Sequence, residues 1–386
     1  YFMNFYFAPM EGVTGYCFRT AYNAAFPGLD RFYTPFLSAN DTFQFTHREE
    51  RDVAPEHNLG MRVVPQIITN NAEMFVWAIR EMAKRGYTEV NLNAGCPSGT
   101  VVAKGKGAGL LRDPDRLDEF LEGTFELLEK EGICYDIADA PEVPLFVKMS
   151  SAETLDSKYA EASEASRDEM NEAAEALASE KGDGAIRPKP VKTADGRTHV
   201  CISVKTRIGG WEPDEAGELI RVYNRYPLKD LIVHPRVQKQ IYRGEVHLDV
   251  FRQFVEESKQ HLVYNGDIVT VADYERITHM FPSIDSIMIG RGLLTNPALV
   301  RQIRGGAAAT LEELKVFHEQ LLENYMTEMQ SERNTLFKMK EYWNWLSQSF
   351  EGSDRYMKEI RKADTIVRYR AAVRNLLANC PLKGEV

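Results

Sequence analysis

Residues 89–111 read EVNLNAGCPSGTVVAKGKGAGLL, and the reading of this stretch decides the fold. Val90 and Leu92 alternate with Asn91 and Asn93, the period of a strand with one apolar and one polar face. The run ends at Gly95-Cys96-Pro97. Pro97 fixes φ and cannot continue a ladder, so a corner is imposed. A loop rich in glycine and lysine follows. A strand that ends in such a turn is how α/β proteins present a reactive side chain at the carboxyl edge of a sheet. The plain alternative is a buried cysteine in an ordinary βα loop. Asn93, Gly95 and Pro97 around Cys96 weigh toward a functional thiol.

Working outward, short apolar strands alternate with amphipathic helices. Phe5–Pro9, Arg31–Phe36 and Val63–Ile67 read as strands before the 89–93 segment. A helix over Asn71–Arg85 places Phe75, Val76, Ile79, Met82 and Ala83 on one face. Asp113-Pro114 is a cap and first-turn pair for the next helix. Val200–Arg207, Asp230–His234, Leu262–Asn265 and Asp285–Gly290 complete eight strands. Repeated βα units imply a parallel sheet, and eight of them close into a (β/α)8 TIM barrel. Pro144–Met149 also reads as a strand and carries Lys148. Val200–Arg207 is preferred for the fifth position because the helix it needs follows at once.

The barrel is expected over residues 1–305, interrupted by an insertion at about 134–199 whose removal leaves roughly the ~250 residues usual for such barrels. Its middle, Lys158–Lys181, is rich in Ala, Glu and Ser, and fits either a solvated helix or disorder. From about Thr310 the pattern is helical alone, with Leu311–Met329, Thr335–Phe350 and Tyr356–Leu377 as long helices of a separate bundle over 310–386.

The five cysteines are scattered without a C-x-x-C pair, which argues against structural zinc and a secreted disulfide framework, and no metal is expected. No apolar run nears the roughly 18 residues needed to span a bilayer, and the expectation is a cytoplasmic monomer. The net charge of −10 is unevenly spread. Glu153–Asp183 holds ten acids and three bases, whereas Arg355–Arg374 holds seven bases and two acids. The basic segment keeps a nucleic-acid partner open despite the global sign.

Polar residues collect at the predicted strand ends, where a barrel puts its active site. They are Pro9-Met10-Glu11-Gly12, Gln66, Asn93 with Cys96, Lys205 with Arg207, His234 with Arg236, Asn265-Gly266-Asp267 and Gly290-Arg291-Gly292. Singly each has a bland explanation: Gln66 as a helix cap, Lys205 in an ion pair. The last two clusters follow strands seven and eight and suit a phosphate.

The segments APMEGVTG, PQI, NLNAGCPS with KGKGAGLL, SVKTRIG, IVHPR, YNGDI and MIGRGLLTNP, in this order, resemble the tRNA-dihydrouridine synthases. The corner N-x-G-C-P combined with V-K-x-R is the specific part. The resemblance covers the barrel and extends to the helical bundle, but not 134–199. It implies an FMN enzyme that reduces the 5,6 double bond of a tRNA uridine, a D-loop one, with NADPH as reductant. By position, Ala8, Pro9 and Met10 would lie along the flavin, and Gln66 and Lys205 would bond the edge of its ring. Asn265, Gly266, Asp267, Gly290 and Arg291 would hold the phosphate, with His234 nearby. Asn93 and Arg207 would face the uracil, Arg236 would lie close by, and Cys96 would be the proton donor. Arg361 and Arg368 would meet the tRNA backbone.

The residue types suit that chemistry. Hydride addition at uracil C6 leaves a carbanion at C5, and a thiol near its reference pKa of about 8.5 is protonated at neutral pH and able to supply the proton. A fixed cation at Lys205 would stabilise an anionic reduced ring. Position 235 is proline where the family commonly has glycine, and Lys148 rivals Lys205 as the flavin lysine. Two other readings stay open: a small-molecule flavin reductase of the dihydroorotate dehydrogenase type, and a non-catalytic tRNA-binding protein.

Overall fold

The computed structural model describes residues 2–148 and 188–383. Lys158–Lys181 lies outside them. The chain forms two compact units. One comprises Tyr1–Tyr6, Asp30–Gly266 and Ser283–Met288, and the other Phe7–Leu29, Asp267–Pro282 and Ile289–Val386.

The first unit is organised by a ten-segment sheet. Its strands are β1 (Asn4–Phe7), β2 (Arg31–Tyr33), β3 (Leu37–Ser38), β4 (Val63–Val64), β5 (Gln66–Ile68) and β6 (Glu89–Ala94). After a separate two-strand pair, β7 (Ile133–Cys134) and β8 (Thr198–His199), come β9 (Cys201–Arg207), β10 (Leu231–His234), β11 (Leu262–Tyr264) and β12 (Ser286–Ile289). The order is β3-β5-β6-β9-β10-β11-β12-β1-β2-β4. Its two ends are halves of the same neighbours: β2 pairs with β4, and β3, four residues further on, pairs with β5. The sheet therefore closes on itself with eight positions, an α/β barrel. Every pairing with a defined register within it is parallel.

The eight expected strands are the eight observed positions, with two refinements. The second and third are each broken in two. Pro65, which lacks an N–H, separates β4 from β5. The fifth position is β9, paired to β6 by six residues and to β10 by four. The rival segment contributes only an isolated antiparallel bridge from Leu145 to Arg62, and Lys148 is exposed outside the sheet.

Helix starts follow their caps. The Asp113 side chain accepts the Arg116 N–H, with Pro114 at the first helical position of Pro114–Lys130, and Leu117, Phe120, Leu121 and Leu128 face inward. Asn71 caps Ala72–Lys84 in the same way.

The second unit is helical. Leu311–Met329 begins at a capping box formed by Thr310 and Glu313. The next helix starts earlier than expected, at Glu332, because Ser331 caps it. The expected single helix over Tyr356–Leu377 is two, Asp354–Lys362 and Ile366–Asn379. The break is set by Thr365, whose hydroxyl accepts the Arg368 N–H and so starts a new helix. Phe18, Phe317 and Tyr342 meet edge to face in the core of this unit, with ring centroids 5.2–5.9 Å apart. Buried Trp343 Nε1 donates to the Tyr369 hydroxyl, which is hydrogen-bonded in turn with His318 Nε2 at 2.7 Å. Burial, and secondarily Arg370, pushes the His318 imidazole down to about 4, so it sits there neutral.

Candidate active site

The site is built at the carboxyl ends of the strands of the first unit. Strand alternation turns Asn91 and Asn93 to the same side of β6, in register with Ser203 and Lys205 of β9. Gln66 of β5 lies opposite Asn91. Hydrogen bonds run along these positions. Asn93 Nδ2 donates to Gln66 Oε1 at 2.7 Å, and Gln66 Nε2 donates to Asn91 Oδ1 at 2.8 Å. Asn91 Nδ2 donates to Ser203 Oγ at 2.9 Å. All four residues are buried. Gln66 is thus no helix cap. The chain orients its amide and Asn93, and leaves each with unused hydrogen-bonding capacity.

Asn93 also fixes the corner. Its Oδ1 accepts the N–H of Gly95 at 3.1 Å and of Cys96 at 2.9 Å. The Cys96 carbonyl accepts the Ala108 N–H, which folds the Gly/Lys-rich loop back onto the cysteine. Gly107, at φ +56°, is required there: a Cβ would lie 2.8 Å from the Cys96 carbonyl oxygen. Cys96 is a half-buried thiol that forms no disulfide.

Lys205 and Arg207 stand two residues apart on β9. Arg207 is buried, with Nε donating to the Gly95 carbonyl at 2.9 Å and Nη1 to the Val237 carbonyl at 3.1 Å. It ties the Cys96 corner to the loop after β10. The Lys205 side chain, on a strand paired through its backbone to β6 and β10, has no hydrogen bond or ion pair among the described residues. Burial, then the neighbouring Arg207 charge, lowers its pKa to about 8, with the Cys96 sulfur opposing. Burial likewise lowers Arg207 to about 10, and Tyr242 opposes this. No carboxylate is among the leading causes of either shift.

His234 ends β10, and Arg236 Nη1 donates to its Nε2 at 3.0 Å. A guanidinium only donates, so Nε2 is an acceptor and His234 is neutral with its hydrogen on Nδ1. Arg236 is buried and also donates to the Gly244 carbonyl at 2.6 Å. Asn265 Nδ2 donates to the Met288 carbonyl at 2.9 Å. Gly266 admits no side chain, since a Cβ would lie 2.2 Å from the Tyr264 hydroxyl.

In the second unit Ala8 and Gly290 are packed so closely that a Cβ on Gly290 would lie 3.2 Å from that of Ala8. Ala8 N–H donates to the Ile289 carbonyl, and Met10 N–H donates to the Thr14 hydroxyl at 2.8 Å before Pro9-Met10 turns into the following segment. Arg291 is ion-paired with Asp267 at 2.7 Å. Arg361 and Arg368 are exposed on the two successive basic helices. Arg368 pairs with Asp364 at 2.9 Å, and Arg361 reaches Asn344 at 3.4 Å.

Sequence reading missed Tyr242, whose ring lies 5.4 Å from the Arg207 guanidinium and 6.2 Å from the His234 ring. Nothing local signals it, because it sits in an irregular loop. It missed Asn91 and Ser203 as well, although the alternation with Asn93 pointed to Asn91.

A closed parallel barrel with a thiol, oriented amides and desolvated cations at its carboxyl rim is the frame of a barrel enzyme. The family model for dihydrouridine synthase matches residues 6–126 and 188–379, and the chain belongs to that family of oxidoreductases. A probable tRNA-dihydrouridine synthase of Staphylococcus aureus (strain COL) is 25% identical over 334 residues, 83% of this chain and 78% of that protein. The tRNA-dihydrouridine synthase B of Proteus vulgaris is 23% identical over 77% of this chain and 69% of its own length. Among solved structures, a variant of NCR from Zymomonas mobilis aligns at a TM-score of 0.43 and 10% identity, over 81% of this chain and 90% of its own. Morphinone reductase in complex with tetrahydroNAD aligns at 0.35 and 12%, over the same shares.

Proposed function

We propose that the chain reduces uridines of tRNA, in the D-loop, to 5,6-dihydrouridine, with FMN as cofactor, NADPH as reductant and Cys96 as proton donor. The observation that carries the reading is the rim of β5, β6 and β9. There a half-buried thiol held by Asn93 adjoins a desolvated lysine with no acid to balance it. Such a place suits an electron-rich, anion-accepting ring, and the oriented amide of Gln66 supplies hydrogen bonds to the edge of one.

FMN, when bound, supplies the hydride that goes to uracil C6. Gln66 and Lys205 would hold the edge of its ring, with Ala8, Pro9 and Met10 along it. Asn265, Gly266, Asp267, Gly290 and Arg291 are the residues assigned to the phosphate. Lys205 holds positive charge where negative charge develops, and its environment makes that charge worth more than in water. Cys96 gives its proton to C5 of the uracil, and Asn93 orients both the corner and the base. Arg207, whose Nε and Nη1 are engaged by two carbonyls, fixes the thiol loop and meets the uracil with its remaining donors. Arg361 and Arg368 contact RNA phosphates, and the boundary near residues 305–310 separates the catalytic barrel from the RNA-binding helices.

The test is dihydrouridine content, by mass spectrometry, of unmodified tRNA incubated with the protein, FMN and NADPH. The expected result is a gain of about two mass units at defined D-loop uridines, the two hydrogens added by proton and hydride. NADPH consumed with free dihydropyrimidine formed and no change in the RNA would overturn the reading for the small-molecule reductase.

A further inference from the structure

Trp211 follows β9 by four residues and is 49% exposed, yet it is not loosely held. The Arg112 guanidinium lies 4.3 Å from its ring centroid and covers one face. Arg112 is itself fixed, since Nη2 donates to Gln238 Oε1 at 2.8 Å. The close approach needs Gly210, where a Cβ would lie 2.9 Å from Arg112 Cγ. Glu215 accepts the N–H groups of Gly210, Trp211 and Glu212, which pins the backbone on both sides of the indole. The loop after β10 is joined to the same point: the Gln238 N–H donates to the Gly209 carbonyl and the Lys239 N–H to the Gly210 carbonyl. That loop carries Tyr242, also 49% exposed.

This is a pre-ordered aromatic surface at the rim that holds Cys96. Arg112 belongs to the 3₁₀ segment Gly107–Arg112, which begins at the glycine packed on Cys96, and Arg207, on the same strand end as Trp211, grips the Gly95 carbonyl. An apolar protein partner is a poor match, because the indole stands among Arg112, Glu212 and Lys239, the last two paired at 3.5 Å. A neutral aromatic base is a good one: it stacks on the ring and is indifferent to the mixed charges around it.

Resting on the function proposed above, we propose that Trp211, backed by Arg112, is the stacking platform for the unpaired base beside the uridine delivered to Cys96. Drawing a uridine out of a stacked loop strips its neighbour of a stacking partner. The indole replaces that partner.

The experiment is steady-state reduction of an unmodified tRNA transcript by the wild type and by Trp211→Ala, Trp211→Leu and Trp211→Phe. Stacking on a protein ring predicts a rise in KM of roughly tenfold for Ala and Leu, with Phe close to the wild type and kcat changed by less than about twofold. The salt dependence of KM should stay parallel to that of the wild type, because no phosphate contact is lost. Trp211→Ala at the wild-type KM, or Trp211→Leu as effective as Phe, overturns the platform. A flattened salt dependence overturns it too, in favour of an electrostatic role. A wild type that reduces no RNA takes down the functional reading and this proposal together, whereas an active wild type with an equally active Trp211→Ala takes down the platform alone.

Discussion

The two ends of the barrel handle buried charge in opposite ways. At the amino ends of the strands, Arg31 pairs with Asp230 at 2.9 Å and with Glu89 at 3.3 Å, and Lys229 reaches Glu89 at 3.4 Å. His261 bridges Asp230 and Asp285, each at 2.7 Å, so both ring nitrogens donate and the ring is an imidazolium. At the carboxyl ends, Arg207 is buried and Lys205 half-buried, and no carboxylate is among the leading charges acting on either. The first arrangement offsets the cost of burial and closes the floor of the barrel. The second leaves that cost standing. A cation kept in such a place weakens the apoprotein and is useful only when something electron-rich is bound there.

The sharpest way to break this contrast is Lys205→Met. Removal of a fixed charge aimed at developing negative charge predicts a loss of about 10²-fold in turnover. The same change should stabilise the apoprotein at neutral pH, on the order of 1–2 kcal/mol, by deleting a desolvated charge. The signs with pH follow. Lys205 titrates at about 8 in the folded chain and near 10.5 unfolded, so its charge disfavours folding below about 8 and that penalty fades as pH rises above it. An electron-rich ring bound beside Lys205 favours its charged form, so turnover that depends on the charge should fall at a higher pH than the one at which the folding penalty fades. Thermal melts and rate profiles from pH 7 to 10 check both, and a variant that is less stable and fully active would refute the contrast.

At the other end, Glu89→Gln should cost about 3 kcal/mol, since Arg31 and Lys229 lose their buried counter-charge while Asp230 remains. Denaturant melts measure this, and at permissive temperature the reaction rate should be close to wild type. The smallest effect is that of His261. Its hydrogen bond to Asp230, and then Asp285, raises its pKa to about 9. Its contribution is therefore complete below the unfolded value near 6.5 and is lost as pH rises through about 9. In a His261→Asn variant, melts between pH 6.5 and 9 should lose that slope.

Much of the barrel was legible because its signals are local. Alternation gave β6, proline and aspartate gave the start at Pro114, and the helix following Val200–Arg207 chose the right fifth strand over Pro144–Met149. Boundaries failed where one side chain overrides a continuous pattern. Pro65 splits a strand, and Thr365 divides a basic run that looked like one helix. In the site, the residues at strand ends were readable because a barrel gathers strand ends by rule. The partners that give them their state were not. That Arg207 spends two donors on Gly95 and Val237, or that Tyr242 lies over it, depends on how irregular loops meet. No periodicity encodes that.

The most direct measurement is the rate of dihydrouridine formation in unmodified tRNA by Cys96→Ala beside the wild type, each loaded with FMN and supplied with NADPH. If Cys96 is the acid, the variant should bind flavin as the wild type does and form dihydrouridine at least about 10²-fold more slowly. A variant that forms it at the wild-type rate would contradict the assignment of the proton to this thiol and, with it, the reading of the carboxyl rim as the reaction centre.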